Sequence, residues 1–342
     1  MTPFVLLLSI IVLLHNKVQK QLLYATVGSV NFFCNEIRDC PSNPCINHER
    51  MDYPMENTRI AGKSGTGRLW LYLLLIVLLT VFCYLTLDVW LLPYSVAYTE
   101  TGTITAGSVL FVIIGLLFST PAPFIAVLII SVFRDKISVK QLFRNILRTE
   151  DKGKTALITG FFCVIAFLYA VLFGKPNGSP WYMFPLGFLI MIPFVGIAEE
   201  TGWRGLLQPE LDKRMPFPFS VLLTGAIWYV WHLPTWLDPT SHHYGDSIIG
   251  FGITIFIWAF ALAAIYRSTK SVIACALYHA FMDAIGAVYD WNALFDVFPG
   301  DLPANIFRIV WLGSALILWY ITVNQDKKRI TVPLREKPVQ RL

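Results

Sequence analysis

Between residues 199 and 283 the chain sets three small groups of ionisable side chains at the ends of, or inside, long apolar runs. Glu199 and Glu200 follow an 18-residue uncharged run that begins at Trp181, and Arg204 comes four residues after Glu200. His232 closes a second run, four residues after Trp228, while His279 and Asp283 stand four apart in a third. A helix turns about 100° per residue, so Glu200 and Arg204 can pair on one face while Glu199 looks into a different space. His279 and Asp283 share a face by the same spacing. Ionisable groups within apolar spans are costly, so each needs a reason. A carboxylate and two imidazoles facing one cavity suit the activation of water, with Glu as general base and His orienting the water or donating to an oxyanion. Ordinary helix-end charges would explain the glutamates alone, and a satisfied interhelical donor would explain either histidine alone. The three groups together favour a catalytic centre. Asp88 and Arg308 lie near the ends of apolar runs, where snorkelling or a local pair accounts for them.

Helices must position these groups, because none of the apolar runs alternates with period two. Eight uncharged or nearly uncharged segments are candidates to span: 69–92, 108–133, 155–174, 181–198, 216–233, 247–266, 271–288 and 303–325. Pro121 and Pro123 predict a kink in the second. A turn near Met215 would fold the fourth and fifth segments into an antiparallel hairpin, bringing Glu199 and Glu200 to the depth of His232. The fold class expected is therefore an all-α polytopic membrane protein of about eight transmembrane helices, with the active site in the core of the bundle.

Composition agrees. Of 342 residues, 56% are apolar and only 14% charged, where a soluble domain carries about 25% charged residues. Mean hydropathy is +0.59. Disorder and a disulfide-stapled secreted module are excluded on these figures. The net charge of +5 sits in loops with no reader motif, which argues for membrane orientation and against nucleic acid. Counted in alternate loops, Lys and Arg number 21 on one side and one, Lys175, on the other. Both termini are thus expected in the cytoplasm. Residues 134–154 read as a basic amphipathic helix whose Ile137, Leu142, Ile146 and Leu147 would lie in the membrane interface. Residues 1–68 read as a flexible extension, with Met51 and Met55 as alternative starts; 69–325 as the transmembrane bundle; 181–289 as its reactive core; and 326–342 as a basic cytoplasmic tail. No P-loop, GxGxxG, GxSxG or HExxH occurs, so nucleotide chemistry has no support, and no paired broken helices support transport.

The ordered set EExxxR (Glu199, Glu200, Arg204), aromatic-xxx-His (Trp228, His232) and Hxxx(Asn/Asp) (His279, Asp283) resembles the CAAX-processing and bacteriocin-processing intramembrane proteases, also called the type II CAAX prenyl endopeptidase or Abi family. The motifs occupy under a third of the chain. The resemblance implies an endopeptidase in which Glu199 activates water, Glu200 with Arg204 holds the site, His232 assists the base, and His279 with Asp283 stabilises the oxyanion. Two departures stand out: Trp228 replaces the usual Phe, and Asp283 stands where the eukaryotic-type pattern has Asn. An ionised Asp cannot donate, so it must be protonated, orient His279 or bind a cation. The substrate implied is a peptide or lipid-modified protein at the membrane, cleaved from the cytoplasmic side. A non-proteolytic scaffold or bacteriocin self-immunity protein of the same fold is the alternative. No cofactor is expected; zinc on Glu199, His232 and His279 is the competing reading, less favoured because zinc hydrolases with HExxH place two histidines on one helical turn.

Overall fold

The computed structural model describes residues 66–237, 241, 243–290 and 302–331. The apolar run 4–14, the alternative starts at Met51 and Met55 and the end of the basic tail lie outside the described residues. Among those described there are ten helices and no strand; one isolated bridge joins Pro176 to Tyr289. The helices are α1 (Gly67–Tyr98), α2 (Ala106–Ser119), α3 (Ala122–Arg134), α4 (Val139–Leu147), α5 (Lys152–Phe173), α6 (Met183–Asp212), α7 (Phe217–His232), α8 (Ile248–Thr269), α9 (Val272–Ile285) and α10 (Leu302–Thr331). Side chains placed by the sequence cap several of them. Ser138, Asp151, Ser247 and Ser271 each accept a bond from the backbone N–H three residues on. At Pro121 the chain bends by 53° between α2 and α3, as the prolines predict.

Every one of the eight apolar segments is helical, but eight full spans are not reached. Among the described residues five helices (α1, α5, α6, α8 and α10) are long and apolar enough to cross a membrane, six if the bent α2–α3 pair is one span. The chain is thus an integral membrane protein. Helix α7 has 16 residues and α9 has 14. At 1.5 Å per residue they reach only about 24 and 21 Å, short of a hydrocarbon layer of about 30 Å. Both end beside the polar residues His232 and Asp283 that closed their apolar runs.

Helix α8 is the hub. Two thirds of its most apolar stretch (67%) is buried, against 22–28% for the other four long helices. It packs on α5, α7, α9 and α10, and Ala259, Ala261, Ala263 and Ala264 let neighbours approach closely. Large apolar side chains point outward from the rim, among them Leu78, Trp90, Leu157, Leu189 and Ile309, as lipid-facing surfaces require. At the end of the bundle bearing the basic loops a second set of charges is buried. Arg68 lies 3.0 Å from Asp135 and 3.7 Å from Glu210, and Glu210 also meets Lys213 and Arg214 at 3.1 and 2.9 Å. These pairs tie α1, α3 and α6 together.

Three sequence expectations change. The Glu199–Arg204 motif does not end its helix but sits mid-way along α6, because Trp203, Leu206, Leu207 and Leu211 continue to bury beyond it. Arg204 therefore drops out of the loop-charge count, whose sign is unaffected. The amphipathic helix exists as α4, yet Leu142 and Ile146 are fully buried against protein rather than laid on lipid, while Leu147 is exposed. Of the two alternatives for Arg308, a local contact holds in place of snorkelling: it is 4% exposed, with its guanidinium 5.5 Å from the Tyr169 ring.

Helix α6 approaches α9 at a glycine. A Cβ on Gly196 would stand 2.9 Å from the carbonyl carbon of Ala276 and closer still to its oxygen, so backbone must move. Gly196→Ala should lower stability by about 1–3 kcal/mol in detergent unfolding. Gly160→Ala on the exposed face of α5, where nothing lies within 4 Å, should change it by under about 1 kcal/mol, upward. Equal melting of the two variants would show that this approach is not tight.

Candidate active site

Helix α6 is irregular where it matters. Pro193 has no N–H to give the preceding turn, and the backbone widens to π-helical hydrogen bonding over Ile192–Ile197 and again over Trp203–Leu207. The regular turn between them, Ala198–Gly202, carries both glutamates. Glu200 and Arg204 are fully buried. Arg204 Nη1 donates to both Glu200 oxygens at 2.9 Å. His279, from α9, brings Nδ1 to 2.8 Å from Glu200 Oε1. One carboxylate thus holds the guanidinium of its own helix and the imidazole of another. With its Nδ1–H donated to Glu200, His279 turns Nε2 toward Asp283, whose Oδ2 is 3.7 Å away. That places Asp283 to orient the ring.

Glu199 points elsewhere, as its 100° offset requires. Two indoles hold it. Trp228 Nε1 donates to Oε2 at 2.8 Å and Trp203 Nε1 to the same oxygen at 3.2 Å. Oε1 takes no bond among the described residues. Glu199 is only 3% exposed, yet it lines a cavity of about 510 Å³ together with Trp228, His232, His279 and Asp283. Trp228 is the hub of this wall. Besides bonding Glu199 it meets His279 edge-on at 5.2 Å, lies 5.7 Å from the His232 ring and carries the Arg204 guanidinium 5.2 Å from its centroid. His232 is set by its Nδ1, 2.9 Å from the Trp228 carbonyl oxygen.

Of the residues singled out in the sequence, Glu199, Trp228, His232, His279 and Asp283 line this cavity, and Glu200 and Arg204 lie buried behind it in contact with His279 and Trp228. The contact to Glu199 from α7 comes from Trp228, a residue whose aromatic ring suggested only bulk. Sequence reasoning also passed over His243. It lines the same cavity, is 3.1 Å from Asp246 through Nδ1, and stacks on Trp236 at 4.8 Å. Its His-x-x-Asp spacing was the available signal, but it stands in a connecting segment without periodicity. Asp88, set down as a helix-end charge, lines the cavity too. Among the described residues no group of three or more His, Cys, Asp or Glu side chains is arranged so as to hold a metal ion.

Comparison with known proteins falls on the same region. The family model described as Type II CAAX prenyl endopeptidase Rce1-like matches residues 180–285. A protein named CAAX prenyl protease 2 from Methanococcus maripaludis is 25% identical over 130 residues, covering 33% of this chain and 48% of that protein. The match therefore spans about half the length of that relative. No solved structure matches. The resemblance read from the three motifs is thus supported over 180–285, the stretch that contains every motif residue.

The geometry separates the two glutamates by their effect on folding. Arg204→Ala leaves a buried carboxylate and imidazole short of a cation and should cost about 3–5 kcal/mol. Glu199→Gln keeps an oxygen for both indoles and should cost about 1 kcal/mol or less. Thermal unfolding in detergent checks this. Equal melting of the two variants would contradict the assignment.

Proposed function

We propose that this chain is an intramembrane endopeptidase in which Glu199 activates the attacking water. The observation that carries the reading is the pair of indole N–H groups on one oxygen of Glu199, Oε2, which fixes the carboxylate at the cavity wall and leaves Oε1 for water. Glu199 takes a proton as the water oxygen bonds to the scissile carbonyl carbon, and the carbonyl electron pair moves onto its oxygen. His279 is held by Glu200 and Asp283 so that its Nε2 edge faces that oxyanion; a proton there makes both ring nitrogens donors. His232 assists the base. When the C–N bond breaks, Glu199 returns its proton to the departing amine. Glu200 and Arg204 act as positioning residues, since they reach the reaction through His279 and Trp228.

The substrate class proposed is a membrane-associated polypeptide, with CAAX-like C-termini suggested by the family match. The reaction is proposed to run without metal. Oε2 of Glu199 is already taken by two indole N–H groups, which supports that reading.

Cleavage products identified by mass spectrometry of membranes holding wild-type or variant protein test the mechanism. Glu199→Gln should lower cleavage by about 10²–10⁴, the usual worth of a general base. Trp228→Phe, which keeps the ring and loses the N–H, should cost roughly tenfold with the fold retained. Activity should survive prolonged 1,10-phenanthroline. Cleavage unaffected by Glu199→Gln would overturn the reading, and loss to the chelator that zinc restores would replace the metal-free mechanism. Immunity to a bacteriocin that persists in Glu199→Gln would favour the scaffold alternative.

A further inference from the structure

On α1, α6, α7, α8 and α9 the cavity occupies the half toward one end of the bundle, and Ser119 and Thr120 line it at the bend between α2 and α3. On α1 its residues run from Thr80 to Asp88, while Arg68 stands at the other end. On α6 they run from Gly187 to Glu199, with Lys213 and Arg214 just past the far end. On α7 they are Trp228 to His232, the end remote from Arg214. On α8 they are Phe251 to Trp258, and Arg267 lies in the opposite last turn. On α9 they begin at His279 and continue past its end to Gly286 and Ala287, with Lys270 just before its start. No Lys or Arg lines the cavity.

The other half is closed. Every residue of α6 from Ala198 to Leu211 is buried. From Glu200 to Leu211 that is about 17 Å of helix at 1.5 Å per residue. Trp203, Leu206 and Leu207 fill it, packed with Tyr72, Leu142 and Ile146 and sealed beyond by the Arg68–Asp135–Glu210 charges. At the opposite end the lining runs past the ends of α7 and α9 into the connecting segments, and this edge of it, Pro234, Thr235, Ser241, His243, Gly286 and Ala287, is its rim. That rim is built. Asp290 N donates to Lys175 O at 2.8 Å and Asn177 N to Val288 O at 3.0 Å, pinning the segment after α9 to the one after α5.

Positively charged loops remain on the cytoplasmic side of a membrane. All the Lys and Arg of the loops except Lys175 lie at the closed end, so we infer that the cavity opens on the non-cytoplasmic side. Its substrate is then an exported or membrane-embedded polypeptide whose scissile bond is presented from the outer half of the bilayer, in place of the CAAX-like C-termini that the family match suggests. This departs from the sequence expectation of cleavage from the cytoplasmic side. The substrate class rests on the protease reading; the direction of opening does not.

Single cysteines test it, in full-length protein whose natural cysteines are replaced and which still cleaves. Ser241→Cys and Ala287→Cys mark the rim, and exposed Lys140→Cys in α4 marks the basic end. A charged, membrane-impermeant maleimide should label both rim variants in intact cells and Lys140→Cys only after permeabilisation. Labelled Ala287→Cys should lose cleavage at least tenfold. Rim variants that label no faster in intact cells than Lys140→Cys, or label only after permeabilisation, overturn the inference. Two rim positions guard against one variant failing to fold. Outside labelling combined with undiminished cleavage by Glu199→Gln would leave the direction standing and remove the protease reading instead.

Discussion

A single carboxylate, Glu200, carries two partners, a guanidinium and an imidazole, in a place almost closed to solvent. It joins Arg204 on its own helix to His279 on α9, all three nearly or fully out of solvent. Desolvating such groups is expensive unless every partner is present. The arrangement is therefore all or nothing: α9 must dock on α6 in one register for any of the three to be tolerable. Gly196, backed against the Ala276 carbonyl, permits that approach. The Trp228 ring, lying beside both Arg204 and His279, fixes where α7 closes over them. Glu199 takes its place as a by-product of this docking. Its neighbour is locked, its own side chain is turned by a third of a revolution, and the indole of the arriving α7 receives it.

The irregularity of α6 serves the same end. Two widened segments bracket one regular turn, and that turn bears both glutamates. π-Bulges of this kind often occur at functional sites, where they re-aim side chains that a uniform helix would place differently. Past the second segment the helix continues under full burial to the basic end, with Gln208 bridging Asp212 and Ser220 at 3.1 and 2.9 Å. These bonds, with the Arg68 and Glu210 charges beside them, are how a stretch richer in charge than the preceding run can still be interior.

Spacing made much of this legible. The four-residue intervals from Glu200 to Arg204 and from His279 to Asp283 were sufficient to place each pair on one helical face. The hairpin turn between α6 and α7 was sufficient to bring Trp228 and His232 to the level of Glu199. Other features left no mark in one dimension. An aromatic residue inside an apolar run reads as packing, so nothing distinguished the indole N–H of Trp228 as the group that would hold a carboxylate. His243 belongs to a connecting segment without period, and its place at the cavity is set by Asp246 and Trp236 in three dimensions. Leu142 and Ile146 have the pattern of an interfacial helix, and amphipathicity alone does not say whether protein or lipid meets the apolar face. The end of the apolar run at Ala198 looked like the end of a helix because composition cannot show that the charges beyond it are mutually paired.

Helix α7 reaches only about 24 Å by its 16 residues, yet it shows Phe219 and Leu222 to the outside of the bundle. Acyl chains alongside it meet a hydrophobic wall shorter than themselves, and the lipid must compress or its headgroups must dip, at fractions of a kcal/mol per Å of mismatch. The protein thus deforms its own solvent. A polypeptide helix drifting in the bilayer toward that flank loses the hydrocarbon that kept its backbone hydrogen bonds closed. Its last turn is then held more weakly than in the undisturbed bilayer.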